Sequence, residues 1–161
     1  MARSTWKKLE RRVARFFGSE RTPLSGGNSK HTRSDSLHPD LFIEAKHKKE
    51  MPVWDWYKEF ENFVEGGIPA LELKQNQDDL SLVAIHSKYI DGLEQKDWET
   101  GEKIRANMGI YSLYNNTEVL AQAEKKIPVL ALHKKYKRGF LIITSYTNWR
   151  DLIKLYEVNN G

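Results

Sequence analysis

The stretch Asp35-Ser-Leu-His-Pro-Asp-Leu-Phe-Ile-Glu44-Ala-Lys46 sets an acid, a short turn, and then a strand bearing an acid and a lysine two residues apart. Strand side chains alternate between faces, so Phe42, Glu44 and Lys46 point one way while Leu41, Ile43 and Ala45 point into a core. A turn at Ser36 to Pro39 would fold Asp35 back beside Glu44, so that two carboxylates converge on one point. Two hard oxygen ligands with open positions suit Mg²⁺, which keeps several waters and phosphate oxygens in its shell. A lysine at the same point can steady charge developing on a phosphoryl group or orient an attacking water.

Glu-x-Lys by itself is cheap in so charged a chain, occurring at Glu44/Lys46, Glu72/Lys74, Glu94/Lys96 and Glu124/Lys126. Context separates them. The Glu94 and Glu124 pairs lie in polar, helix-like stretches, where such a pair is a solvated face. Glu72/Lys74 sits in the strand-like Ala70 to Lys74 but has no aspartate folded beside it. Only Glu44/Lys46 combines an apolar alternate face, a nearby aspartate and a turn.

The element that must support this strand is an amphipathic helix at the start of the chain. Ser4 is the expected N-cap and Gly18 the expected C′ residue, and Trp6, Leu9, Val13, Phe16 and Phe17 recur at helical spacing. Lys7, Lys8, Arg11, Arg12 and Arg15 occupy the other side. Glu10, the only acid among them, falls at the margin of the apolar stripe. A carboxylate there needs a partner, because a desolvated, unpaired charge is costly. Lys7 at the surface or a metal ion would each provide one.

Glu10 on a first helix, the loop Arg21-Thr-Pro-Leu-Ser25-Gly26-Gly27, Asp35, and then Glu44-x-Lys46 together resemble the PD-(D/E)xK nucleases. Within them the chain looks most like the archaeal-type Holliday-junction resolvases and their phage relatives, most clearly over residues 4 to 48. The resemblance implies an α/β fold with a restriction-endonuclease-like core, a central mixed β-sheet flanked by helices. It implies Mg²⁺, or Mn²⁺ in its place, held by Glu10, Asp35, Glu44 and the carbonyl after Glu44, with Lys46 as the fourth catalytic residue. Products would carry a 5′-phosphate and a 3′-hydroxyl. Arg11, Arg21, Ser25, Lys30, Arg33 and Lys48 are the expected DNA contacts. The expected partners are branched DNA, above all four-way junctions, and a second copy in a homodimer; the small size leans toward a phage. Pro39-Asp40 spells the family name literally, but Asp40 is four residues before Glu44, about 13 Å away along one strand. Asp35 is preferred and Asp40 is the runner-up.

Composition agrees with a nucleic-acid partner: 26 Lys and Arg against 22 acids, a net charge of +4 and a pI near 9.2. The distribution matters more, because Arg3 to Arg15 carries six basic residues and one acid, and Lys46, Lys48 and Lys49 extend the patch. Such clusters neutralise phosphates and release counterions. Lys134, Lys135, Lys137 and Arg138 surround Tyr136 in an expected hairpin turn. No cysteine is present, which excludes disulfides and thiolate metal sites, and the histidines lack zinc-ligand spacing. His38 and His47 flank the acidic motif and read as polar surface or as contacts to phosphate. No Gly-x-Ser-x-Gly elbow or phosphate loop occurs. With no apolar leader and no membrane-length run, a soluble cytoplasmic protein of one domain, residues 1–161, is expected.

Residues 49–126 depart from the compact family pattern and read as an insertion between the catalytic strands and the later core strands Ile127 to His133 and Phe140 to Thr144. Within it, Val53, Trp56, Tyr57, Phe60, Phe63 and Val64 predict a helix with an aromatic core stripe, stopped by Gly66-Gly67. Leu80 to Ile90 reads as a strand, Tyr114 to Asn116 as a turn, and Thr117 to Lys126 as a helix. Leu93 to Leu113 shows no clear pattern, and Trp149 to Glu157 reads as a terminal helix.

Overall fold

The apolar stripe of the first helix selects its buried side. Helix α1 (Ala2–Phe16) sinks Leu9 and Val13, with Phe17 just past its end, and leaves Lys7, Lys8, Arg11, Arg12 and Arg15 in solvent. It closes in a Schellman turn. The Ser19 N–H donates to the Ala14 carbonyl at 2.9 Å and the Gly18 N–H to that of Arg15 at 3.0 Å, with Gly18 at φ +75°, a conformation glycine adopts without a Cβ penalty. Ser4 does not cap the helix but lies inside it, since Ala2 and Arg3 are themselves good helix formers.

This computed structural model describes residues 2–23, 32–74, 81–99, 103–105 and 108–160. After α1 come β1 (Leu41–Lys48), α2 (Pro52–Phe63), β2 (Leu71–Lys74), β3 (Leu82–His86), α3 (Gln95–Glu99), β4 (Lys103–Arg105), α4 (Met108–Ala123), β5 (Ile127–Lys134), β6 (Leu141–Ser145) and α5 (Trp149–Asn160). The strands form one six-stranded mixed sheet in the order β1-β5-β6-β3-β2-β4. β1 runs parallel to β5, and β5-β6, β6-β3 and β3-β2 are antiparallel. The expected α/β class, a mixed sheet flanked by helices, is the one observed.

Helices cover both faces, which is why the strands read as apolar runs rather than clean alternations. On one face α1 and α5 pack Val13, Trp149 and Leu152 over Ile43, Val83, Val129 and Ile142. On the other, α2 and α4 pack Trp54, Tyr57, Tyr111 and Tyr114 over Leu73, Leu82, Leu130 and Leu132. The large aromatics also hold the layers together by hydrogen bonds, each satisfying a polar tip that burial would otherwise strand. Trp54 Nε1 donates to the Leu132 carbonyl at 2.9 Å, Trp149 Nε1 to Val83 at 3.0 Å, and the Tyr111 hydroxyl to Leu73 at 3.0 Å.

The segment 49–126 is not an appendage: β2, β3 and β4 extend the same sheet beyond β6, with β3 paired to β6 over Leu82 to His86. Several local expectations are corrected. Tyr114 to Asn116 form no turn, because α4 runs through them: Tyr111, Tyr114, Thr117 and Ala121 make a buried helical stripe while Asn115 and Asn116 face solvent. The patternless Leu93 to Leu113 contains α3, β4 and the start of α4. Phe63, expected in the core stripe, is 72% exposed, since α2 buries only Val53, Trp54 and Tyr57 in its first turns. The Leu80 to Ile90 strand is shorter than expected and turns into a 3₁₀ segment at Ser87–Tyr89.

The β5-β6 turn depends on Gly139. Its φ is +71°, and a Cβ there would stand 2.4 Å from Cε1 of the His86 ring, whose Nε2 bonds the Arg138 carbonyl at 2.9 Å. Gly139→Ala is expected to cost about 2 kcal/mol, a fall in Tm of about 4–8 °C. An unchanged thermal unfolding curve would contradict that.

Candidate active site

β1 is an edge strand of the sheet, and the segment before it closes its open side. Thr32, Ser34, Ser36 and His38 are all buried, and each accepts from the backbone N–H two residues on. Ser34 N donates to Thr32 Oγ1 at 3.0 Å, Ser36 N to Ser34 Oγ at 3.3 Å, His38 N to Ser36 Oγ at 3.3 Å and Asp40 N to His38 Nδ1 at 3.0 Å. This ladder of side-chain turns turns every second residue inward and leaves Arg33 and Leu37 outward, with Asp35 half-buried between them against β1. Ser34 Oγ also accepts from the Ile43 N–H at 2.8 Å, and Asp35 Oδ2 from that of Ala45 at 2.8 Å. Two edge amides of β1 are thereby satisfied, which protects the edge from pairing with another chain.

Asp35 thus lies against β1 beside Glu44. Asp40 is solvent-exposed, and its carbonyl accepts from the Ile127 N–H at 2.9 Å. Glu44 and Lys46, paired at 3.1 Å, share the face of their β5 register partners Leu130 and Leu132. α1 packs on the opposite face and brings Glu10 in from there. Glu10 is 2% exposed; its Oε1 accepts from Arg21 Nε at 2.8 Å, while Oε2 is buried with no hydrogen-bond partner among the described residues. Arg21 is therefore turned inward onto Glu10.

The carboxylates sense one another. Asp35 is pushed up to about 8, first by burial and then by the charges of Glu44 and Glu10, against the pull of the Ala45 amide and Lys46. Burial also raises Glu10, with Glu44 adding to it and the Arg21 bond opposing it. Among the described residues no His, Cys, Asp and Glu side chains already form a coordination cluster, so a cation would have to draw these acids together against their repulsion. The donor chemistry fits a hard divalent ion: a buried carboxylate oxygen without a partner among the described residues, an Asp35 carboxyl pushed up by burial and then by Glu44, and a Glu44 side chain that is 24% exposed.

Arg21→Ala would leave Glu10 buried with neither oxygen partnered, a loss of about 3 kcal/mol. The double variant with Glu10→Gln is expected to regain most of that stability in denaturant unfolding; equal stability of Arg21→Ala and wild type would refute the pairing.

Of the expected DNA contacts, Arg11, Arg33 and Lys48 are exposed, while Ser25 and Lys30 lie outside the described residues. The Arg33 N–H donates to Glu124 Oε2 at 3.1 Å, and the Thr32 hydroxyl bonds Glu124 Oε1. One of the competing Glu-x-Lys pairs, Glu124/Lys126 at 3.2 Å, therefore anchors the loop that carries Asp35. His38 is not polar surface: it is 3% exposed, and its Nδ1 accepts from the Asp40 and Leu41 N–H groups at 3.0 and 3.2 Å. Burial depresses its pKa, in keeping with a neutral ring.

Sequence reasoning missed these inward positioning residues, although acceptors at every second position from Thr32 to His38 were a readable signal. It also missed a histidine pair across β1 and β5. His47 and His133 stack with ring centroids 4.9 Å apart and Nδ1 atoms 2.7 Å apart. His133 Nε2 bonds the Lys137 carbonyl at 2.7 Å and so carries the proton. In a neutral His133 the Nδ1 must then accept from His47. Burial lowers the His133 pKa, with His47 and Arg12 adding to the effect against the Lys137 bond, which favours that neutral form. No signal within β1 or β5 alone reveals the pair.

No family model matches this chain, and no curated protein or solved structure matches it. Among the described residues no helix is long and apolar enough to cross a membrane.

Proposed function

We propose that this chain is a metal-dependent, structure-selective DNA endonuclease that resolves four-way junctions by paired phosphodiester hydrolysis. One observation carries the reading: Asp35 lies against β1 beside Glu44 and its Lys46 partner, and Glu10, with one buried oxygen lacking a partner among the described residues, is near enough that Glu44 raises its pKa and both raise that of Asp35. Acids that raise one another's pKa destabilise a fold, and a binding module for phosphates has no use for them. A site that takes up a cation does.

Glu10, Asp35 and Glu44 would hold Mg²⁺ or Mn²⁺. The ion would supply Lewis-acid polarisation of the phosphodiester and a water acidic enough to attack near neutral pH. Asp35, whose carboxyl is pushed up to about 8, would have to be ionised to hold the ion, which would tie metal affinity to pH. Lys46, 41% exposed, is free to move from Glu44 toward charge building on the phosphate. Arg11, Arg33 and Lys48 supply exposed cations for flanking phosphates. Cuts in opposed strands call for two sites, hence a two-fold dimer, for which the exposed Phe63 end of α2 is the proposed surface.

The test is incubation with a synthetic four-way junction, matched duplex and a flap substrate, each with and without Mg²⁺. Metal-dependent paired cutting of the junction is expected. Equal cutting of duplex would replace the resolvase by a repair or restriction-type nuclease, and no cutting of any substrate would leave a non-catalytic binding module.

A further inference from the structure

We infer that the β5-β6 hairpin reads the branch point, its Tyr136 ring stacking on an unpaired or unstacked DNA base; this rests on the nuclease reading above. Tyr136 is 86% exposed and lies between Lys135 and Lys137, next to Arg138. Two local costs meet in this one residue. Its φ of +70° lies in the left-handed region, which a bulky L residue occupies only with strain, and a large ring stands in water. Glycine at this position would remove both, so the fold itself has no use for tyrosine there. An observed outlier of this kind points to an external contact.

The tip is also held in place. The Lys135 N–H donates to the Lys48 carbonyl at 2.9 Å and the Lys137 N–H to that of Lys134 at 3.0 Å. His133 Nε2 bonds the Lys137 carbonyl at 2.7 Å, and Lys134 Nζ meets Asp55 at 2.6 Å. The backbone on either side of the ring is therefore tied to the end of β1, the strand that carries Glu44 and Lys46, and little backbone order remains to be gained on binding. The Lys135 ammonium sits 5.0 Å from the ring centroid, so the aromatic face and the positive charge are presented together.

A flat ring among cations fits a polyanion that exposes base faces. An intact duplex keeps those faces stacked internally, whereas a branch point offers them. Selectivity for branched DNA then has a physical origin on this hairpin, separate from the hydrolytic residues.

The experiment measures fluorescence anisotropy on a labelled four-way junction and on a duplex of equal length, without divalent metal. Tyr136→Ala is expected to bind the junction about tenfold more weakly, with duplex affinity within about twofold and Tyr136→Phe close to wild type. Tyr136→Gly should melt no lower than wild type yet show the same junction defect, which separates binding from folding. Unchanged junction affinity in Tyr136→Ala, or an equal loss on junction and duplex, overturns the inference; equal loss would mark a backbone contact. If wild type cuts junctions and Tyr136→Ala binds them equally well, only the hairpin inference falls. If wild type neither prefers nor cuts junctions, both fall.

Discussion

Lys46→Ala is expected, if the proposed nuclease reading holds, to lower metal-dependent junction cleavage by about 10²–10³-fold, the loss seen when one preorganised stabiliser of developing charge is removed. Junction affinity should change by less than about fivefold, because a single solvent-exposed cation is one of many phosphate contacts. Glu44→Gln is expected to reduce cleavage as strongly but to move binding the other way. Removing a negative charge from a surface that meets phosphates tightens the complex, most at low salt. Gel assays of cleavage rate alongside metal-free binding separate the two effects. Wild-type cleavage by either variant would place the chemistry elsewhere in the molecule.

Asp35→Asn is expected to make the protein more stable and inactive at once. In wild type the Asp35 carboxyl sits at about 8 instead of the ordinary 3.8, so the folded state resists its ionisation. The resulting penalty is absent below pH 3.8, grows as pH rises toward 8 and is constant above it. In a fully buried group, each tenfold weakening of the acid corresponds to about 1.4 kcal/mol. Asp35 is half-buried, and solvent screening reduces the expected gain at pH 8 to about 2 kcal/mol, or about 4–8 °C in Tm. Asparagine keeps an oxygen to accept from the Ala45 N–H. Thermal unfolding of both proteins from pH 4 to 8 should show the curves diverging as pH rises; parallel curves would mean that Asp35 ionises freely. Adding Mg²⁺ at pH 8 should raise the wild-type Tm more than that of the variant, because the ion binds the folded state through the carboxylate the variant lacks.

Opposing effects on stability and activity are what residues kept for chemistry produce. Glu10 belongs with Asp35 in this respect, since its Oε2 is buried without a partner among the described residues. Arg21 offsets part of that cost, and a cation would offset the rest.

Much of this architecture was legible in the residues. The stripe of α1, the Gly18 terminus, and β1, β5, β6 and α5 follow from apolar period and turn chemistry. Asp35 could be preferred to Asp40 because four residues of strand are too long to bring two carboxylates together. Errors arose where local composition misled: Asn115 and Asn116 look like a turn, yet the neighbouring Tyr111, Tyr114 and Thr117 sit on the buried side of α4. The paired asparagines are simply the wet side of that helix. Phe63 shared a period with Tyr57 and Phe60, which do pack on the core, but period cannot reveal where along α2 the covered face ends.

The sequence by itself determined the residue types at the site and their parity: Glu44 and Lys46 on one face of a strand, Glu10 at a helix margin, Asp35 across a turn. Parity and period are local properties of the backbone, so they survive without knowledge of the fold. Only the tertiary structure decided that Arg21 turns inward to Glu10, that Glu124 anchors the Asp35 loop, and that His47 meets His133. Those contacts join residues far apart in the chain, and they form because strand pairing and helix packing bury polar groups that must then find partners wherever the fold supplies them.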